Sequence, residues 1–127
     1  MENYTLTPSP KTPRLYFNSE SGDFEISGRS IPENSIEFYK PLVEWLDKYI
    51  ANPAAKTRLT VNLEYFNTSS SKCLVEIFRK LEKLNTKSDV KVLWHYEEED
   101  EDMLESGDDF KKIIKIPIEL IVIKGDR

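Results

Sequence analysis

Between residues 59 and 65 the chain alternates: Leu59, Val61, Leu63 and Tyr65 are apolar or aromatic, and Thr60, Asn62 and Glu64 are polar. A period of two marks a strand with one buried face, here carrying all four of the apolar positions. Beyond it Cys73, Leu74, Ile77, Phe78, Leu81 and Leu84 recur at three- and four-residue steps, predicting an amphipathic helix that ends near Asn85. Upstream, Phe38, Tyr39, Leu42, Val43, Leu46, Tyr49 and Ile50 predict another helix, with Asn34 and Glu37 spaced as a capping box. Pro41 falls inside that stripe. Because it lacks a backbone donor, it must either kink the helix or mark its true start.

The flanking patterns complete the order. Leu15-Tyr-Phe and Phe24-Glu-Ile-Ser are short β-prone runs joined by the loop 18–23, a hairpin signal, and Gly28 and Pro32 punctuate the chain before the first helix. Val90 to Tyr96 reads as a strand, and Met103, Leu104, Phe110, Ile113 and Ile114 as a third helix. Ile116 to Ile123 is a last β-branched run with Pro117 among its first residues. Residues 1–13, with Pro8, Pro10 and Pro13, read as a flexible arm, leaving 14–127 as a single domain. The predicted order is β-β-α-β-α-β-α-β. Strands alternating with helices imply right-handed crossovers, so the expected fold is α/β bordering on α+β: a mixed, mostly parallel sheet with an N-terminal hairpin and three helices.

Composition narrows the function classes. The length of 127 residues suits one domain, and 39% hydrophobic with 32% charged residues describes a globular protein with a charged surface. No apolar run approaches the ~18 residues of a membrane span, and the opening residues carry no secretory pattern. Cys73 is the only cysteine, which fits a cytoplasmic setting. The formal charge of −5, without a basic stripe, argues against a nucleic-acid surface. With four glycines and no phosphate-loop, zinc-ligand or nucleophile-elbow spacing, neither a cofactor nor a metal is expected, and the chain reads as a binding or regulatory module rather than an enzyme.

Chemistry is expected where strands of a parallel sheet end at their carboxyl termini. Two loops leave such ends, and both should lie on one edge. The first holds Asn67 and four consecutive hydroxyls, Thr68 to Ser71; the second is the acidic run Glu97 to Asp102. Hydroxyls before a helix act as caps, a role open to Thr68 itself, but a single cap does not use four of them. A helix amino terminus also suits a phosphoryl group, and Lys72, four residues after Thr68, could pair with one. The acidic run reads as a solvated face or as the start of the next helix, with a divalent-metal site the weaker alternative. Beside Thr68 it would repel an added phosphate. His95, Cys73, Trp45 and Trp94 read as structural residues. On these grounds a phospho-switch and a small-molecule sensor using the same edge both stay open.

Pro32-Glu-Asn, Glu37-Phe-Tyr-Lys-Pro-Leu-Val-Glu-Trp-Leu, Tyr65-Phe-Asn-Thr-Ser-Ser and Trp94-His-Tyr-Glu through Glu101-Asp-Met-Leu-Glu-Ser-Gly resemble the SiaC family of bacterial regulatory phosphoproteins. The resemblance implies a fold similar to STAS domains and phosphorylation on the threonine of the Tyr-Phe-Asn-Thr-Ser-Ser segment, here Thr68. It implies a dedicated Ser/Thr kinase, an opposing PP2C-type phosphatase, and an effector, a diguanylate cyclase, bound by the unphosphorylated form to tune cyclic di-GMP. Tyr65, Asn67, Ser69, Ser70 and Lys72 are then the expected loop-support or partner-binding residues. Asn67-Thr-Ser-Ser departs from the Asp-Ser-Ser-Gly pattern of spore-type anti-sigma-factor antagonists, so sigma-factor control is not expected.

Overall fold

The computed structural model describes residues 1–125, so the last two residues of the expected domain lie outside the described residues. Its elements run β1 (Tyr4–Leu6), β2 (Arg14–Phe17), β3 (Asp23–Ser30), α1 (Ser35–Ala51), β4 (Lys56–Phe66), α2 (Thr68–Leu84), β5 (Asp89–Glu97), α3 (Glu101–Ile113) and β6 (Ile118–Ile123). The six strands form one sheet in sequential order. β1, β2 and β3 pair antiparallel, whereas β3, β4, β5 and β6 pair parallel. Each helical crossover therefore steps the same way across the sheet, and right-handed connections bring all three helices to one face. Burial agrees: Leu59, Val61 and Leu63 of β4 and Val90, Val92 and Trp94 of β5 are buried, while Asn62, Glu64 and Glu97 are exposed.

Four local features differ from, or decide between, the sequence expectations. Tyr4–Leu6, within the segment read as a flexible arm, adds an outer strand, with Tyr4 opposite Phe17 and Leu6 opposite Leu15. Trp45 Nε1 donates to the Glu2 carbonyl at 2.8 Å and ties this strand to α1. A three-residue strand is too short to show a period in sequence. Second, α1 starts at Ser35, not at Pro41: Asn34 caps it by accepting from the Glu37 amide. Pro41 lies inside the helix on its exposed side, where water can satisfy the carbonyl it leaves without a helical donor.

Third, β3 does not stop at Gly28. Gly28, at φ 105°, lets the strand continue to Ser30 through a shift in register. Fourth, Gly28 pairs with Leu63 but Arg29 pairs with Tyr65, so Glu64 is an extra residue in β4. Such a bulge inverts the alternation after it. Tyr65, expected on the buried face, is instead 54% exposed. Phe66 takes the inward place and packs against the Trp94 and Phe110 rings at centroid distances of 6.0 and 6.5 Å.

Candidate functional site

The bulged end of β4 delivers Tyr65, Phe66 and Asn67 to the start of α2. Asn67 is the helix cap: its extended backbone (φ −83°, ψ 172°) lets Oδ1 accept from the Ser70 amide at 2.9 Å, and its carbonyl accepts from the Ser71 amide. Thr68 is therefore the first helical residue and not the cap. It is exposed, and among the described residues its Oγ1 makes no hydrogen bond.

The three serines that follow are all engaged. Ser71 Oγ donates to the Thr68 carbonyl at 2.8 Å. Ser70 is fully buried; its Oγ donates to the Ser30 carbonyl at 3.0 Å and lies 2.7 Å from Ser30 Oγ. Ser69 is exposed, yet its Oγ lies 2.7 Å from Ser35 Oγ and donates to Asn67 Oδ1 at 3.3 Å. Ser30 Oγ is also 2.6 Å from the Tyr39 hydroxyl. Its carbonyl receives the Asn67 amide as well, so the end of β3 pins the loop that carries Thr68. Burial pushes the Tyr39 phenol up to about 12, against the opposing effect of its hydrogen bond with Ser30. Burial, reinforced by Glu76, likewise raises the Cys73 thiol.

A depression of about 300 Å³ lies between Tyr65, Thr68 and Ser71 on one side and Ser106 and Asp109 of α3 on the other. Beside it, a smaller one of about 180 Å³ shares Tyr65 and Ser106 and is walled by Glu64, Asp100 and Asp102. The hydroxyl loop and the acidic segment thus meet on one edge. Within that segment Asp100 caps α3 by accepting from the Met103 amide at 3.0 Å, and Glu101 and Asp102 occupy its first turn. The carboxylate that shares a depression with Thr68 is Asp109, about two turns past the acidic run. Lys72 is exposed and has no ion pair among the described residues.

Sequence reading singled out Tyr65, Asn67, Thr68, Ser69, Ser70 and Lys72, and all lie at this edge. It missed Ser30, Ser35, Tyr39, Ser106 and Asp109. Ser30 carried a signal, since it continues the inward parity of Phe24 and Ile26 across Gly28; the others carried none. Trp94 is fully buried with Nε1 donating to the Met103 carbonyl at 2.9 Å, and His95 sits half-buried beside Ile121 on the uncovered sheet face. Among the described residues no group of three or more His, Cys, Asp or Glu could hold a metal ion, and no helix is long and apolar enough to cross a membrane.

Known proteins share this fold over nearly its whole length. An uncharacterized protein of Pseudomonas aeruginosa strain UCBPP-PA14 is 27% identical over 118 residues, covering 92% of this chain and 94% of its own. The structure of SiaC of Pseudomonas aeruginosa superposes with a TM-score of 0.87 at 25% identity, covering 97% of this chain and 100% of that one. A chain of the crystal structure of diguanylate cyclase SiaD in complex with its activator SiaC, from Pseudomonas aeruginosa, gives 0.87 at 26% identity, over 94% and 99%. A family model described as SiaC family regulatory phosphoprotein matches residues 6–123. The chain belongs to the SiaC family of regulatory phosphoproteins.

Proposed function

We propose that this chain is a non-catalytic, cytoplasmic partner switch in which Thr68 accepts a phosphate. A Ser/Thr kinase adds that phosphate and a PP2C-type phosphatase removes it. The unmodified edge docks an effector, and phosphorylation blocks the docking. The solved complex of the similar protein SiaC with diguanylate cyclase SiaD supports a diguanylate cyclase as that effector. The observation that carries the acceptor assignment is the contrast within the hydroxyl run: among the described residues the exposed Thr68 hydroxyl has no hydrogen bond, whereas those of Ser69, Ser70 and Ser71 do. Tyr65, 54% exposed beside it, offers the apolar contact area that a docking partner would cover.

The test is a titration of the cyclase with unmodified protein, phosphorylated protein and two variants. Thr68→Asp weakens binding by at least ~1.4 kcal/mol, about tenfold, because a charge is then desolvated on docking. Full phosphorylation weakens it further, since aspartate carries less charge and fewer acceptor oxygens. Thr68→Ala binds normally but no longer responds to kinase. Equal affinity of the phosphorylated and unmodified forms would refute the switch.

A further inference from the structure

Ser69 is exposed and adjacent to Thr68, so exposure alone does not explain why only one of them should take phosphate. We propose that Ser35, the first residue of α1, sets acceptor choice by occupying the Ser69 hydroxyl; this rests on the acceptor role of the 68–71 loop given above. Ser35 is a positioning residue, acting through Ser69 and not on the phosphoryl donor.

Elimination orients the hydroxyls around Ser30 and shows how Ser69 is held. Each hydroxyl has one proton, and carbonyl or amide oxygens can only accept. Ser70 Oγ spends its proton on the Ser30 carbonyl, so the 2.7 Å contact with Ser30 Oγ needs the Ser30 proton. The 2.6 Å contact between Ser30 and Tyr39 then needs the phenolic proton, which the raised pKa of Tyr39 keeps in place. Ser69 Oγ and Ser35 Oγ share a 2.7 Å contact in which either hydroxyl can donate, and each has a second, longer partner at 3.3 Å: Asn67 Oδ1 for Ser69 and Ser70 Oγ for Ser35. The result is one directed chain, Tyr39 to Ser30 to Ser70 to the Ser30 carbonyl, and beside it a Ser35–Ser69 hydroxyl pair at 2.7 Å.

This arrangement has a chemical consequence. Phosphoryl transfer from ATP forms a bond from the acceptor oxygen to the γ-phosphorus, breaks the bond to the departing ADP oxygen and passes the hydroxyl proton to a base on the kinase. The acceptor needs a lone pair and a proton free to meet that donor and that base. Ser69 has its hydroxyl held in the 2.7 Å pair with Ser35, whichever of the two donates, and lies 3.3 Å from Asn67 Oδ1. Ser70 is buried, and the Ser71 proton is on the Thr68 carbonyl. Only Thr68 presents both. Ser35, just 2% exposed, is fixed by the start of α1, so Ser69 cannot turn outward without breaking the pair.

The experiment maps phosphate on protein expressed in cells that carry the kinase, by peptide mass spectrometry over residues 68–71. In the wild type, phosphate is on Thr68. Ser35→Ala raises the Ser69 share by about fivefold, the worth of one ~1 kcal/mol hydrogen bond, and Ser35→Thr keeps the wild-type pattern. Thr68→Val alone takes about fivefold less phosphate on Ser69 than Thr68→Val with Ser35→Ala. Ser35→Cys, which keeps the volume and weakens the bond, repeats the measurement if the alanine variant is unfolded by circular dichroism. A purely structural role would lower total incorporation without moving it between residues. Wild-type phosphate on Thr68 with no redistribution in the folded Ser35 variants overturns this inference alone. No phosphate anywhere in 68–71 of the wild type overturns the acceptor reading, and this inference with it.

Discussion

Replacing Thr68 by alanine leaves the fold intact, and the size of the effect is set by where α2 begins. Thr68 is exposed, sits at the first helical position, and its hydroxyl bonds nothing among the described residues. The hydrogen bond that Ser71 makes to it uses the backbone carbonyl, which the substitution keeps. Alanine is the better helix former by about 0.5 kcal/mol in a helix interior and by less in the first turn, so Thr68→Ala is neutral or slightly stabilising. Asn67→Ala is the contrast. It removes the acceptor of the Ser70 amide at 2.9 Å and costs ~0.5–2 kcal/mol. At roughly 4 °C per kcal/mol for a domain of this size, scanning calorimetry should put Asn67→Ala about 2–8 °C below wild type and Thr68→Ala at or just above it. The reasoning fails if Thr68→Ala loses more than about 1 kcal/mol, or if Asn67→Ala melts with the wild type. The practical consequence is that a signalling defect in Thr68→Ala would report the lost hydroxyl, not a damaged helix.

Gly107 is the point where α3 presses on the sheet: an added Cβ would lie 2.5 Å from Trp94 Cδ1 and 2.7 Å from Leu120 Cδ2. Trp94 is fully buried and held by its bond to the Met103 carbonyl, so Gly107→Ala costs about 1–3 kcal/mol in overpacking against a helix-propensity gain of about 1, a net loss that urea titration detects as a lower midpoint. A midpoint at or above wild type would mean that α3 moves away freely. Tyr39 supplies a pH signature. Its phenol ionises near 10 in the unfolded chain but only near 12 in the fold, so its contribution is complete below pH 10 and is lost as pH rises from 10 to 12, by about 2–3 kcal/mol. Tyr39→Phe should cost about 1 kcal/mol at neutral pH and remove that alkaline fall; equal slopes for the two proteins would disprove the buried assignment.

Patterns with a long period were legible in the sequence, and local breaks in them were not. The stripes of α1 and α2 and the alternation of β4 and β5 gave the helices, the parallel strands and their common edge, because burial on one face forces those periods. The bulge at Glu64 was hidden, since Leu63, Glu64 and Tyr65 continue a perfect alternation and only pairing with β3 shows that Glu64 has no partner. The break reverses Tyr65, turning what looked like a core residue into an exposed one next to Thr68. The cap was similarly ambiguous among Asn67, Thr68 and the serines, since each side chain is a competent acceptor. The long-range partners of Ser69 and Ser70 come from α1 and β3, 34 and 40 residues away, a separation at which sequence spacing carries no distance information.

The place of Thr68 also decides how a phosphate on it could work. Among the three helices, α2 is the one with no acidic residue in its first turn; α1 has Glu37 there and α3 has Glu101 and Asp102. A phosphate of about −1.5 to −2 charges on the first helical residue would meet a helix amino terminus with unfilled capacity for negative charge, an interaction worth about 0.3–1 kcal/mol. Asp109, across the shared depression, opposes it through solvent, where screening keeps the repulsion of similar size. The two contributions roughly cancel, and neither reaches the buried chain of hydroxyls that holds the loop to β3 and α1. A phosphate placed at Thr68 would therefore change what the edge presents while leaving the fold beneath it in place. An effector covering Tyr65 and Thr68 would have to strip water from a dianion, and that desolvation cost falls on the complex and not on the free protein.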